Sequence, residues 1–178
     1  MNEPILRALN SLTGSPGADK LIIFLAGTLP WLLIFGALVY AVWHWQQANA
    51  SRQLAFVTLA TLASWLLAQI IKYFYFSPRP FLVLNDINQL IQHGANDSFP
   101  SGHATLFMAL GTGLYLLNKK LGNVFIIGAV LISLARIAAG IHWPLDIVGG
   151  WVLAWVVVLL GRSLFSAALY QPERFRGF

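Results

Sequence analysis

The feature that most constrains this chain is a pair of long apolar runs without charged side chains. Residues 21–45 and 54–71 contain no aspartate, glutamate, lysine or arginine. A helix of about 20 apolar residues crosses the hydrocarbon layer of a bilayer, and an uncharged run of about 18 is a candidate for one. Only 10% of all residues are charged, against about 25% in soluble domains. The sequence therefore predicts an integral membrane protein.

Three further apolar segments follow these two runs. They cover residues 103–118, 121–141 and 144–161. Apolar residues at helical spacing over 4–12 predict one more short helix, which either lies on the membrane or caps the bundle. We expect an all-α integral membrane helical bundle of about five transmembrane helices plus a short N-terminal interfacial helix. The length of the chain suits one domain over residues 1–178.

Composition and the N-terminal sequence limit the cofactors and partners that can be expected. The first 20 residues lack the basic start and apolar centre of a signal peptide, so we expect them to be retained. The chain has no cysteine, which excludes disulfides and a thiolate nucleophile. Its net charge of +5 favours the lipid bilayer and an anionic membrane lipid substrate over nucleic acid. We expect no obligate protein partner.

Three small polar clusters interrupt the apolar sequence. They are Lys72 with Arg79, then Ser101, Gly102 and His103, and finally Arg136, His142 and Asp146. In a bundle of five spans, the second and fourth spans end where the third and fifth begin. All three clusters therefore fall at one membrane face, and we expect them to form one site.

The residue types in these clusters suit phosphate. Arg79 lies between two prolines and offers a planar fork for two phosphate oxygens. Lys72 alone would be a common interfacial cation. The turn at 100–103 places free backbone N–H groups, a hydroxyl and an imidazole at a helix N-terminus, which favours an anion.

The third cluster adds an acid–base pair. Arg136 lies deep in an apolar helix, where a charge costs about 2.5–3.5 kcal/mol and is usually functional. Asp146 follows His142 by four residues, so its carboxylate can accept a hydrogen bond from the imidazole. Asp146 alone could be a simple helix N-terminal acid.

Two histidines with three cations suit phosphoryl transfer through a covalent intermediate. One imidazole attacks phosphorus, and the other protonates the leaving oxygen and then activates water. The cations stabilise the charge that spreads over the equatorial oxygens. The site lacks the acidic cluster that a two-metal mechanism needs, so we expect no metal and no cofactor.

These clusters resemble the three-part signature of the type 2 phosphatidic acid phosphatase superfamily. The matching parts are Lys72-x6-Arg79-Pro80, Pro100-Ser101-Gly102-His103 and Arg136-x5-His142-x3-Asp146, all within residues 72–146. The resemblance implies a helical bundle that removes phosphate from a lipid phosphate or diphosphate without a metal. Vanadium haloperoxidases share the constellation, but they are larger and soluble.

The resemblance also assigns roles to residues. His142 would be the nucleophile, Asp146 its partner, and His103 the general acid and base. The residues that would hold the phosphate are Lys72, Arg79, Ser101, Gly102 and Arg136. One position departs from the pattern, because Ala135 stands where a serine often precedes the arginine.

Sidedness follows from the lysines and arginines outside the clusters. Arg52, Lys119, Lys120, Arg162, Arg174 and Arg176 would all lie at the face opposite the clusters. The positive-inside rule then places the protein in the cell membrane with its site facing the periplasm or outside and its C-terminus in the cytoplasm.

The substrate is harder to predict than the reaction. Short bacterial members with an outward site resemble undecaprenyl diphosphate phosphatases, which recycle the cell-wall lipid carrier, and this is the activity we expect. Phosphatidylglycerophosphate and phosphatidic acid are alternatives, since no motif separates these headgroups. A transporter is an alternative of another class, because intramembrane charges line transport pathways. It predicts polar residues spread along several spans, which three of the five spans nearly lack.

Two other histidines are expected to lie outside the site. His44, between two tryptophans, is predicted to lie at headgroup level. His93 lies in the polar loop 81–99 and is not expected to be catalytic. Residues 82–91 of that loop are predicted to contain a short interfacial helix.

Overall fold

A computed structural model describes residues 2–47, 49–94 and 97–169 of the chain. The described residues form helices joined by loops and contain no strand. In chain order the α-helices are α1 (Asn2–Asn10), α2 (Pro16–Ile23), α3 (Leu29–His44), α4 (Ala50–Phe74), α5 (Pro80–Val83), α6 (Gly102–Leu117), α7 (Lys119–Ala138) and α8 (Pro144–Leu169). A π-helical segment, Phe24–Thr28, joins α2 to α3.

Four stretches are long and apolar enough to cross a membrane. They are Pro16–His44, Ala50–Phe74, Lys119–Ala138 and Pro144–Leu164, and the fifth apolar helix, α6, is shorter. The prediction of an all-α membrane bundle with about five spans is confirmed. The first span begins earlier than expected, because Pro16 occupies the first helical turn and the Ser15 hydroxyl accepts a hydrogen bond from the N–H of Ala18.

The first span also contains an irregularity that the sequence did not indicate. Over Phe24–Thr28 the backbone widens into a π-helix, and the N–H of Leu29 donates to the carbonyl of Phe24, five residues back. Pro30 follows at once and has no N–H to donate to the preceding turn. The wider turn therefore directly precedes the residue at which the regular hydrogen-bond pattern is interrupted.

Helix α6 is the centre of the bundle. It packs against α4, α7 and α8, whereas α3 packs against α7. A close approach brings α8 against the start of α6, because a Cβ at Gly150 would lie 3.0 Å from the Ser101 carbonyl and 2.9 Å from the Thr105 hydroxyl. Glycine at position 150 therefore lets α8 hold the turn at which α6 begins.

Helix α1 caps the bundle at the end where the polar clusters lie. It packs against α7 and α8, and Leu6 is fully buried. The Asn10 amide donates to the carbonyls of Asn88, at 2.9 Å, and Ala138, at 2.8 Å. Helix α1 therefore caps the bundle, and its position on the membrane surface stays a prediction.

Two local predictions were wrong. No helix covers 82–91, since α5 ends at Val83 and the described residues 84–94 contain no helix. Helix α7 ends three residues earlier than expected, because Gly140 has a φ of +74° and turns the chain. His44 is buried at the opposite end of the bundle, where its Nε2 lies 2.7 Å from Gln53 Oε1, and its position at headgroup level stays a prediction.

Candidate active site

A cavity of about 390 Å³ lies at the α1 end of the bundle. Its apolar wall consists of Pro30, Trp31, Ile34, Trp65, Leu106 and Phe107. Its polar part consists of Gln69, Lys72, Arg79, His93, Gly102, His103, Arg136 and His142. Six of the eight predicted site residues thus line one cavity, and the other two, Ser101 and Asp146, lie directly behind it. A cavity of this size and mixed lining is typical of small-molecule sites.

Asp146 anchors the imidazole of His142. Its Oδ2 lies 3.3 Å from His142 Nδ1 and accepts hydrogen bonds from the Trp143 backbone N–H, at 2.7 Å, and from the Ser98 hydroxyl. Because a carboxylate only accepts, the geometry assigns the ring proton to Nδ1. The other ring nitrogen, Nε2, then carries a lone pair and lies 3.4 Å from the guanidinium of Arg79. This is the arrangement that a histidine nucleophile requires.

His142 lies in the loop between α7 and α8 and is 1% exposed. Burial lowers the pKa of His142 well below its usual value, and the charges of Arg136 and Arg79 lower it further. Burial therefore favours the neutral imidazole, which keeps its proton on Nδ1 and has a lone pair on Nε2.

Arg79 is held at the base of the cavity. Its guanidinium donates to the carbonyl of Ile141, at 2.7 Å, and lies 3.4 Å from the carbonyl of Asp97. The side chain is 1% exposed, and this burial lowers the pKa of Arg79, while the negative charge of Asp146 opposes the shift. Pro80 restricts the backbone of Arg79, and the hydrogen bond to Ile141 holds the guanidinium in place.

Arg136 is a buried cation without a protein counter-ion among the described residues. It is 4% exposed, and its Nε is buried with no hydrogen-bond partner in the described part of the chain. The salt bridges there involve Arg7 and His142. An uncompensated buried charge costs several kcal/mol, and this one lines the cavity. The arrangement calls for an anionic ligand.

Lys72 connects the cavity to the loop that precedes α6. Its ammonium donates to the carbonyls of Asp97, at 2.8 Å, and Ser98, at 3.2 Å. It therefore fixes the segment that carries Ser98 as well as adding positive charge to the cavity. The two donated bonds distinguish it from a freely exposed interfacial lysine.

Ser101 and Gly102 start α6. The Ser101 hydroxyl is fully buried and accepts from the Ala104 N–H at 3.4 Å, which caps the helix. The Ser101 N–H donates to the backbone carbonyl of Asp146 at 3.0 Å and so ties α6 to α8. Gly102 and His103 line the cavity, and the N–H groups of this first turn have no intrahelical acceptor.

Sequence reasoning missed several residues that line the cavity or lie behind it, among them Trp65, Gln69, His93 and Ser98. Gln69 and Trp65 precede Lys72 by three and seven residues, so helical periodicity could have placed them on the same face of α4. Ser98 lies three residues before Ser101, but nothing in the sequence indicates its bond to Asp146. His93 carries no local signal, because a histidine in a polar loop is ordinary.

The described residues contain no group of three or more histidine, cysteine, aspartate or glutamate side chains arranged to hold a metal ion. The expectation of a metal-free reaction remains a prediction.

Together these features define a helical membrane protein with a buried, cation-rich site around a histidine. The sequence profile of the PAP2 superfamily matches residues 53–170. The chain belongs to this superfamily, as its three sequence clusters predict.

Similarity to individual proteins agrees with this assignment. The chain is 30% identical to the "Bacitracin transport permease protein BcrC" of Bacillus licheniformis over 76% of its length and 66% of that relative. It is 28% identical to the "Undecaprenyl-diphosphatase BcrC" of Bacillus subtilis over 90% of its length and 82% of that relative. The crystal structure of Aquifex aeolicus LpxE matches the fold with a TM-score of 0.76 at 24% identity, over 91% of this chain and 94% of that one.

Proposed function

We propose that this protein is a membrane lipid phosphatase that converts undecaprenyl diphosphate to undecaprenyl phosphate. The observation that carries the proposal is the buried guanidinium of Arg136, which faces a cavity also lined by His142 and lacks a protein counter-ion among the described residues. A phosphate group supplies the missing negative charge. The name of the relative from Bacillus subtilis supports undecaprenyl diphosphate as the substrate.

The first step transfers the terminal phosphoryl group to His142. Its Nε2 lone pair attacks the terminal phosphorus, and the N–P bond forms as the bond from phosphorus to the bridging oxygen breaks. The electron pair of the broken bond leaves with that oxygen on the lipid phosphate, which takes a proton from His103. Asp146 stabilises the positive charge that develops on the imidazole.

The second step releases inorganic phosphate. His103 takes a proton from a water molecule, whose oxygen forms a bond to phosphorus while the N–P bond breaks. The lone pair returns to Nε2 of His142, and the enzyme is ready for another cycle. In both steps Lys72, Arg79 and Arg136 stabilise the equatorial oxygens, together with the first N–H groups of α6.

The apolar wall of the cavity supports a lipid substrate. Trp31 and Ile34 of α3 and Trp65 of α4 line the same space as the cations, so a headgroup and the first part of its tail can be held together. We propose that the bilayer supplies this substrate directly, and that the single domain needs no cofactor and no obligate protein partner.

A phosphate-release assay on purified protein in detergent tests the proposal. The substrates are undecaprenyl diphosphate, phosphatidylglycerophosphate, phosphatidic acid and a soluble phosphate ester, each also measured with a chelator. We expect the highest kcat/KM on undecaprenyl diphosphate, with no loss in chelator. A His142→Gln preparation, purified in parallel, gives the background from contaminating phosphatases.

Each contrary outcome of this assay has a distinct meaning. A higher kcat/KM on phosphatidylglycerophosphate or phosphatidic acid would replace the proposed substrate by that lipid. Activity lost in chelator and restored by a divalent ion would contradict the metal-free reaction. Absence of phosphate release from every lipid would favour the transporter alternative, which the name of the relative from Bacillus licheniformis also describes.

We further propose that the site faces the periplasm or outside and that the C-terminus is cytoplasmic. The cations Arg52, Lys119, Lys120 and Arg162 belong to the helix ends opposite the site, which the positive-inside rule assigns to the cytoplasm. Arg174 and Arg176 lie outside the described residues. A tag at the C-terminus should resist external protease in intact spheroplasts and be cut after lysis. Cleavage of the tag before lysis would reverse the orientation.

A further inference from the structure

His93 lines the cavity and belongs to the loop between α5 and α6. It is half-buried, and its ring stands edge-on to the ring of His142, with centroids 6.3 Å apart and an interplanar angle of 72°. A group bound to His142 on its cavity side would therefore lie beside His93. The mechanism described so far gives this residue no role.

One ring nitrogen of His93 has no polar partner, while a hydrogen bond with the backbone of Gly94 partly opposes the lowering of the pKa of the ring. Its Nδ1 is buried and has no hydrogen-bond partner within the described residues. Leaving a buried polar nitrogen unpaired costs free energy, so a ligand that supplies an acceptor would be favoured here. A neutral imidazole retains one N–H donor for such a ligand.

The electrostatic surroundings of His93 specify the charge of that ligand. Burial lowers the pKa of His93 to about 4, and the charges of Arg79 and Arg136 contribute to the shift, as does Lys72. His93 is therefore neutral at physiological pH and is surrounded by cations. An anionic oxygen is the acceptor that both the imidazole N–H and these cations can share.

We propose that His93 binds a non-bridging oxygen of the phosphoryl group that is transferred to His142. This inference rests on the proposed function, because it requires phosphorus at His142. Charge on the equatorial oxygens changes as the phosphoryl group moves, so an N–H donor beside His142 stabilises the transition state. His93 would then add a neutral donor to a site whose other contacts are cations and backbone N–H groups.

A purely structural role for His93 is the competing interpretation. The ring contact with His142 could serve only to hold the nucleophile in place. Two substitutions separate the roles: His93→Phe keeps an aromatic ring but removes the nitrogen atoms, whereas His93→Gln keeps an N–H donor and removes the ring. If the donor matters, glutamine should preserve more function than phenylalanine.

The test measures both turnover and binding of orthovanadate, an anion that can adopt the five-coordinate geometry of the transferred phosphoryl group. Binding is followed as the shift in melting temperature with orthovanadate concentration, which needs no turnover. We expect His93→Phe to lower kcat and the affinity for orthovanadate by about 10- to 100-fold, somewhat below the loss from one oxyanion-hole donor. His93→Gln should retain most of both. His44→Gln, at the buried histidine of the opposite end, is the matched control and should change neither.

Two outcomes would overturn the inference. Orthovanadate affinity in His93→Phe equal to that of the wild type would show that no phosphoryl oxygen depends on the imidazole. A loss in His93→Gln equal to or greater than that in His93→Phe would show that a retained N–H donor does not preserve function. If His93→Phe fails to fold, His93→Ala replaces it in the same comparison with glutamine. Failure of the wild type to release phosphate from any lipid would instead refute the proposed function, whatever the variants do.

Discussion

His142→Gln is expected to lower kcat for phosphate release by about 10⁴-fold or more, because removal of a nucleophile abolishes the covalent route. Glutamine keeps an amide donor that can reach Asp146, so the buried carboxylate remains hydrogen-bonded and the fold should be kept. The measurement is single-turnover phosphate release from purified protein. Unfolding temperature, compared with that of the wild type, serves as the control for folding.

Trapping the phosphorylated enzyme tests the role of His142 without a rate measurement. With label in the terminal phosphate, the wild-type protein quenched in alkali should carry a phosphoramidate, which acid then hydrolyses. His142→Gln should carry none. Label that persists in this variant would move the nucleophile to another residue, and His103 would be the first candidate because it lines the same cavity.

The predicted residues that the structure brings to one cavity include those whose burial in an apolar segment is costly. Arg136 interrupts an apolar helix, and a charge in that position needs a reason that packing cannot supply. His142 and Asp146 lie four residues apart, and the fold keeps them within 3.3 Å through the first turn of α8. In a membrane protein the apolar background makes such residues conspicuous, so five spans and three clusters were enough to predict one cavity.

A functional residue is harder to recognise in a loop, where polar side chains are common. His93 follows Asn88 and Gln89 in a loop of polar residues, and no local pattern separates it from them. Its place at the cavity depends on contacts far apart in the chain. Lys72 holds the loop at Asp97 and Ser98, and Asn10 of α1 holds it at Asn88. Only tertiary structure could bring these groups together.

Ser101 and α1 illustrate ambiguity of a different kind. A serine that begins a helix can cap it or bind an anion, and the Ser101 hydroxyl has the capping contact with Ala104. A short amphipathic helix can lie on lipid or on protein, because both offer an apolar surface. In α1 the structure shows contact with protein, because the amide of Asn10 donates to two backbone carbonyls.

Arg136 offers the second large effect, in which activity and stability move in opposite directions. Arg136→Met keeps an unbranched side chain in place of the aliphatic part of arginine but removes the guanidinium and its charge. We expect kcat/KM to fall by about 10²–10³-fold, the loss typical of one preorganised contact to developing charge. The melting temperature of the ligand-free protein should rise, because the variant no longer buries a charge without a counter-ion. The measurement pairs lipid phosphate turnover with thermal unfolding in the same detergent.

The matched variant for this prediction is Arg79→Met. The guanidinium of Arg79 already donates to the carbonyl of Ile141, so its removal leaves a buried acceptor unpaired and should lower the melting temperature as well as activity. The two arginines thus have opposite expected effects on the stability of the ligand-free protein, although both line the same cavity. A lower melting temperature in Arg136→Met would mean that the fold itself uses this charge, and Arg136 would then no longer be the observation that requires an anionic ligand. A higher melting temperature together with lost orthovanadate binding would show two things. Burial of this charge destabilises the ligand-free protein, and the bound anion supplies its counter-ion.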